Sequence, residues 1–243
     1  MPREELYELQ ERRLRALVYN LYHYSPFYRK RFKEHGITPD DIKKREDIAK
    51  LPFTRKSDLR DTYPLGMLSV PKSMVIRFHA SSGTSGKPTV VAYTENDVKN
   101  WTESLARALT SIGLGKDDII QVSYGYGLFT GGLGLHYGAE KIGASVLPAG
   151  TGSTERQIEL MMDLGSTAIA CTPSYMLHIA EVAEKMGISI RDETQLRIGI
   201  LGAEPWSERM RRRIEDSTGI DAYDIYGTSE LSGPLFTECT EKN

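Results

Sequence analysis

From Met74 onward, short apolar runs rich in β-branched residues alternate with helix-length amphipathic stretches, and this alternation limits the possible folds more than any single motif does. The runs are MVIRF, TVVAY, DIIQVS, ASVLP, TAIAC, RIGILG and DAYDIY. Strand, helix and strand in succession predict parallel pairing, because parallel neighbours need a long return connection. MVIRF and TVVAY are too close together for a crossover helix, so they are predicted to form a hairpin over their own loop. The expected fold class is α/β, a largely parallel sheet flanked by helices.

Residues 1–73 read as a helical lead-in and residues 74–243 as an α/β domain. Leu6, Leu9, Leu14, Leu17, Val18 and Leu21 recur at helical spacing, and SPFYRKRFKEHG supplies an N-cap serine, a proline at the first helical position and a stopping glycine. Thr94 with Asp97 and Thr154 with Gln157 have capping-box spacing, and Pro173 follows Thr172 as a first-turn proline. The run RMRRRIED reads as the solvated face of a helix.

The bulk numbers exclude several function classes. A chain of 243 residues, 40% hydrophobic, buries a sizeable core, and its formal charge of -2 creates no field that gathers nucleic acid or an anionic membrane. Two cysteines and five histidines make neither a disulfide framework nor a CxxC metal cluster, which fits a reducing cytoplasm. The charged N-terminus lacks a signal peptide's apolar core. The stretch 119–139 carries no Asp, Glu, Lys or Arg, but its glycines and tyrosines make it a poor membrane span and suggest buried backbone around a site.

Open parallel sheets bind ligands beyond the carboxyl ends of their strands. Four unusual loops follow predicted strands: YGYGLFTGGLG, PAGTGS, GAEPW and YGTSE. Ahead of them, SSGTSGK, Ser81 to Lys87, fails the P-loop spacing because Gly83 and Gly86 enclose only two residues. It still holds the parts of a phosphate cradle: two glycines, the hydroxyls of Ser81, Ser82, Thr84 and Ser85, and the charge of Lys87. An ordinary hairpin loop has the same composition. YGYGLFTGGLG fails the dinucleotide fingerprint in both glycine registers, and Tyr124, Tyr126 and Phe129 suit either a flat apolar pocket or core packing. The backbone of GAEPW can read the edge of a base, and Glu230 can hold a divalent cation; a plain turn and a surface glutamate are the bland alternatives. The sequence holds no GxSxG elbow and no Ser/His/Asp set, and His79 reads equally as a strand residue.

Taken in order, SSGTSGKPTVVAYT, YGYGLFTGGLG, GAEPW and DIYGTSE resemble the adenylate-forming superfamily, and within it the phenylacetate–CoA ligase family. YSPFYRKRF, LPFTRKSDLR and YPLGML resemble that family's lead-in. The resemblance implies that Ser81, Ser82, Gly83, Thr84, Ser85, Gly86 and Lys87 grip the phosphates of ATP. It implies that Gly202, Ala203, Glu204 and Pro205 line the adenine and that Asp224, Tyr226, Gly227 and Thr228 border the nucleotide. Glu230 would hold Mg²⁺; Tyr124, Tyr126, Phe129 and Gly131 would shape an aryl-acid pocket; and Thr84, Lys87 and Glu230 would act in catalysis.

The implied activity is ATP-dependent conversion of an aryl acid, phenylacetate foremost, through its adenylate to the coenzyme A thioester. An acid ionised at pH 7 needs no general base, which accords with the missing catalytic histidine. Family members continue beyond the equivalent of Asn243 into a lysine-bearing C-terminal domain, so the expectation is that this chain supplies the ATP- and acid-binding part. The alternative expectation is a catalytically silent nucleotide-binding or interaction domain. The expected partners are small molecules, with neither nucleic acid nor membrane, in the cytoplasm; the sequence leaves a homodimer open.

Overall fold

Each of the seven predicted apolar runs contains a strand. The structure, a computed structural model, describes residues 1–81 and 88–242. In chain order the elements are α1 (Arg3–Tyr24), α2 (Pro26–Glu34), α3 (Lys56–Asp61), β1 (Val75–Ala80), β2 (Val90–Thr94), α4 (Glu95–Ser111), β3 (Ile119–Val122), α5 (Thr130–Lys141), β4 (Ser145–Leu147), α6 (Thr154–Leu164), β5 (Ala168–Cys171), α7 (Pro173–Lys185), α8 (Ile190–Glu193), β6 (Ile198–Gly202), α9 (Glu208–Thr218), β7 (Asp221–Tyr226) and β8 (Phe236–Thr237). The two-residue β8 is too short to carry an alternating pattern, and sequence reading did not foresee it.

The chain divides into two compact units, Met1–Glu95 and Asn96–Asn243. In the first, the predicted helical stripe places Val18 of α1 in a small core with Phe32, Ile37 and Ile42, while Leu6 and Leu17 stay exposed. Pro26 opens α2 as predicted; Ser25 takes the N-cap position, but its hydroxyl makes no capping bond. β1 and β2 pair antiparallel, with Ala80 opposite Val90, as the hairpin reading expects. This hairpin, grouped by sequence with the α/β domain, falls in the first unit; among the described residues its strands bond only to each other.

The second unit is built on a sheet ordered β4-β3-β5-β6-β7-β8, parallel throughout except for β8, which runs antiparallel to β7. Every residue of β5 and β6 is buried, as expected where both faces of a parallel sheet are covered. Ile158 and Met161 of α6, Met176 and Ile179 of α7, and Ile214 of α9 pack in one core with Ile169 of β5 and Leu201 of β6. The charge-free stretch 119–139 forms β3, a loop and most of α5 and is largely buried. Among the described residues no helix is long and apolar enough to cross a membrane.

Two local readings are corrected. The N-cap of α6 is Ser153, whose hydroxyl accepts from the Arg156 amide, and not Thr154. The run RMRRRIED is only partly solvated: Arg211 is buried, forms a two-pronged ion pair with Glu238, bonds the Ala222 carbonyl and lies over the Trp206 ring. Its partner sits beyond β8, so nothing in the local pattern could single it out.

Candidate active site at the strand ends

The order of the sheet reverses at β3. The chain steps from β3 outward to β4, then crosses back to lay β5, β6 and β7 on the other side. Loops leaving such a switch point part in opposite directions and open a crevice at the carboxyl ends. A cleft of about 340 Å³ lies there. It is lined by Ser123, Tyr124 and Gly125 after β3, Gly150, Thr151 and Gly152 after β4, and Thr172 and Tyr175 at the start of α7.

Tyr124 fastens these loops. Its hydroxyl donates to the Cys171 carbonyl at the end of β5, at 2.6 Å, and lies 3.2 Å from the Gly202 carbonyl at the end of β6. Burial pushes its pKa well above the ordinary phenol value, helped by Cys171, Glu204 and Asp224 nearby. Thr172 caps α7 through the Tyr175 amide, with Pro173 in the first turn as predicted, and Tyr175 in turn meets the Thr154 hydroxyl at 3.3 Å. Cleft residues are therefore anchored to the sheet and to two helix starts.

Of the expected aryl-pocket residues, Tyr124 lines this cleft, whereas Tyr126, Phe129 and Gly131 belong to the adjoining loop. Phe129 is 42% exposed, its ring 6.0 Å from that of Tyr124. Tyr126 meets His136 edge-on with its hydroxyl 3.3 Å from Nδ1, and burial raises its pKa to about 12. A Cβ at Gly131 would stand 2.4 Å from the Phe129 ring, and one at Gly134 2.6 Å from Trp101. Those glycines make room for neighbouring side chains. At Gly152, which lines the cleft, an added Cβ would instead meet nothing within 4 Å, as at Gly127 in the adjoining loop.

Beside the cleft, the turn after β6 carries Gly202, Ala203, Glu204 and Pro205. A Cβ at Gly202 would lie 2.0 Å from the Ile225 carbonyl, so glycine there lets β6 and β7 approach. Ala203 takes φ 71°, a left-handed conformation unusual for alanine, and so turns the chain sharply off the sheet. The Glu204 carboxylate accepts from the Ser174 amide at 2.6 Å, where the positive end of α7 favours an anion. The side chain of Glu204 is thus engaged with the start of α7.

After β7 the chain loops out through Gly227, Thr228 and Glu230 and returns as β8. The Thr228 carbonyl accepts from the amides of Leu231 and Gly233 at 3.1 and 2.9 Å. The Asp224 amide donates to the Glu238 carboxylate at 2.7 Å, and the Glu238 amide donates back to the Asp224 carbonyl. Arg211 grips the same carboxylate, so the loop bearing Glu230 is pinned at its return. Tyr226 is 63% exposed, with its ring 6.1 Å from that of Phe236.

In the first unit, Ser81 closes the base of the glycine-serine loop: its amide donates to the Thr89 carbonyl and its hydroxyl accepts from the Thr89 amide, both at 3.0 Å. Ser82, Gly83, Thr84, Ser85, Gly86 and Lys87 lie outside the described residues. His79 is buried in β1 against the Tyr93 ring.

Residues 55–243 match the family described as AMP-binding enzyme. The chain belongs to that family. It is 52% identical over 98% of its length to a phenylacetate-coenzyme A ligase of Pseudomonas putida and 51% identical over 98% to one of Aromatoleum evansii, and covers 54% of each. It therefore spans about half the length of the curated relatives it matches. Among solved structures, 2-hydroxyisobutyryl-CoA ligase in complex with 2-HIB-AMP and CoA superposes with a TM-score of 0.92 at 28% identity, over 100% of this chain and 53% of that one.

Within this AMP-binding fold the described residues contain no cluster of three or more metal-ligating side chains. Mg²⁺ in nucleotide sites is usually held by one or two carboxylates together with the phosphates, and Glu230, in the short turn Ser229–Leu231 after β7, is a hard oxygen donor of that type. Sequence reading missed Thr172 and Tyr175, which lack a composition signal, and Gln157, whose polar side chain is buried beneath the cleft.

Proposed function

We propose that this chain provides the nucleotide- and acid-binding part of an enzyme that converts an arylacetic acid, phenylacetate foremost, to its coenzyme A thioester through an acyl-adenylate. The observation that carries this reading is the cleft at the switch point of an AMP-binding fold, beside the backbone turn at Ala203. The likeness to phenylacetate-coenzyme A ligases supports the choice of acid, and the CoA complex of the neighbouring ligase supports the acceptor.

The ionised acid sits in the cleft with its ring between Tyr124 and the Gly150–Gly152 loop, with Phe129 and Tyr126 closing the adjoining wall. A carboxylate oxygen attacks the α-phosphorus of ATP; the new O–P bond forms as the bond to the bridging oxygen breaks, and the electron pair leaves with pyrophosphate. The barrier is to bring two anions into line and hold the charge that develops. Ser81, Thr84 and Lys87 hold the phosphates, the turn from Gly202 to Pro205 takes the adenine, and Asp224, Tyr226, Gly227 and Thr228 border the nucleotide. Glu230 would hold Mg²⁺, which would supply charge neutralisation when bound. The thiol sulfur of coenzyme A then attacks the acyl carbon, AMP departs, and the thiol proton passes to solvent.

The test is ATP–pyrophosphate exchange by the 243-residue chain. Exchange that requires phenylacetate supports the reading; nucleotide binding without exchange supports the silent-domain alternative instead. A cytoplasmic location and self-association are further parts of the reading, checked by fractionation and sedimentation.

A further inference from the structure

Beneath the cleft lies a buried polar chain that the reaction does not use. Gln157 of α6 is 3% exposed and Gln121 of β3 fully buried. The Ser166 hydroxyl donates to Gln121 Oε1 at 3.2 Å, Gln121 Nε2 donates to Gln157 Oε1 at 3.2 Å, and Gln157 Nε2 donates to the Gly150 carbonyl at 3.0 Å. The Ser123 hydroxyl, the other rim, donates to the same Gln157 Oε1 at 2.5 Å.

The direction of this chain is fixed by chemistry. The Gly150 carbonyl can only accept, so the nitrogen of Gln157 must face it and the oxygen must face Ser123 and Gln121. One amide thus joins the loop after β3 to the loop after β4, and both of its outward partners line the cleft. A buried amide needed only to satisfy polar groups could end anywhere in the core; this one ends on both rims. Because all its bonds are made in a low-dielectric interior, losing one leaves a rim group unpaired and the loop without its register.

We propose that Gln157 is the positioning residue of the acid cleft, setting the spacing between Ser123 and Gly150 without touching the substrate. The proposal rests on the reading of that cleft as the aryl-acid site.

The experiment uses the full chain with Gln157→Leu, and Gln157→Asn as a milder variant that keeps the amide but shortens its reach. Amide exchange reads the positioning role without any ligand. The amides of Gly150 and Ser123, bonded to the Val122 and Ala170 carbonyls at 2.9 Å, should exchange about tenfold faster, while Leu201 and Ala222 in β6 and β7 hold their rates. Calorimetry should show phenylacetate affinity falling about tenfold and AMP affinity changing less than about twofold. Faster exchange across all strands, or equal losses for acid and AMP, would make Gln157 a core residue only and overturn the proposal. If Gln157→Leu does not fold, Gln157→Asn decides by the same readings. If the unsubstituted chain binds no phenylacetate, the functional reading fails, and the exchange arm still decides whether Gln157 sets the two rims.

Discussion

The hydroxyl of Tyr124 donates to the carbonyl of Cys171 across 2.6 Å, and so the first residue of the glycine-rich loop is locked to the end of the neighbouring strand. With Gly202 3.2 Å away, a single phenol spans the ends of β5 and β6. Removing it leaves buried carbonyls with one donor fewer. Tyr124→Phe should lower stability by about 1–2 kcal/mol in urea unfolding, and it should weaken phenylacetate binding more than AMP binding. A variant with unchanged stability would mean that these bonds are replaced by others at no net loss.

The alkaline side of the stability profile offers a separate check. Burial raises the Tyr126 pKa from 10.0 to about 12, and Tyr124 and Cys171 move in the same direction. The unfolded chain therefore releases these protons at lower pH than the folded chain does. The Tyr126 contribution is intact below pH 10 and is lost as pH rises toward about 12, while that of Cys171, whose ordinary value is 9.0, begins to fall about one pH unit earlier. Denaturation midpoints should fall across that window, and Tyr126→Phe should fall less steeply, even though its loss of the His136 contact lowers the starting value. Parallel slopes for the two proteins would show that Tyr126 keeps its ordinary proton affinity in the fold.

How much of this was legible in the sequence depended on how local the cause was. RIGILG and TAIAC betray strands because buried parallel strands need continuous apolar runs, and Thr172-Pro173 betrays a helix start because cap and first turn are adjacent. Sheet order was not legible, since whether β5 lands beside β3 or β4 depends on which side the crossover packs. The loops after β3 and β4 were placed at the ligand-binding end of the sheet from sequence, but that they share one cleft with Thr172 and Tyr175 went unseen with it. Arg211 and Gln157 were missed for the same reason: their partners, Glu238 and the pair Gln121 and Gly150, are set by tertiary packing. The glycines misled in part, because Gly131 and Gly202 record close packing of protein against protein as faithfully as a ligand site would.

Ala203 stands at φ 71°, where an L side chain costs about 1–2 kcal/mol relative to the right-handed region. Ala203→Gly removes that strain but adds chain entropy to the unfolded state, so the net gain should be small, about 0.5 kcal/mol. Ala203→Val adds a branched Cβ and should lose about 2 kcal/mol. Differential scanning of the three proteins gives the order Gly above Ala above Val. The reverse order would place the conformation of this turn elsewhere.

The proposed division of the nucleotide between two loops makes the last prediction. If Thr84 and Lys87 act on the phosphates beyond the first, while the turn at Gly202 to Pro205 holds the base, their loss must separate ATP from AMP. Charge-assisted hydrogen bonds contribute about 1.5–3 kcal/mol each, so Thr84→Ala combined with Lys87→Ala should cost MgATP at least about a hundredfold in affinity. AMP lacks the outer phosphates and should bind within about twofold of the unsubstituted chain. Titration calorimetry with both nucleotides, at matched unfolding midpoints, reads the two effects side by side. Equal losses would assign the loop to the base or the first phosphate, and unchanged MgATP affinity would remove it from the nucleotide site altogether.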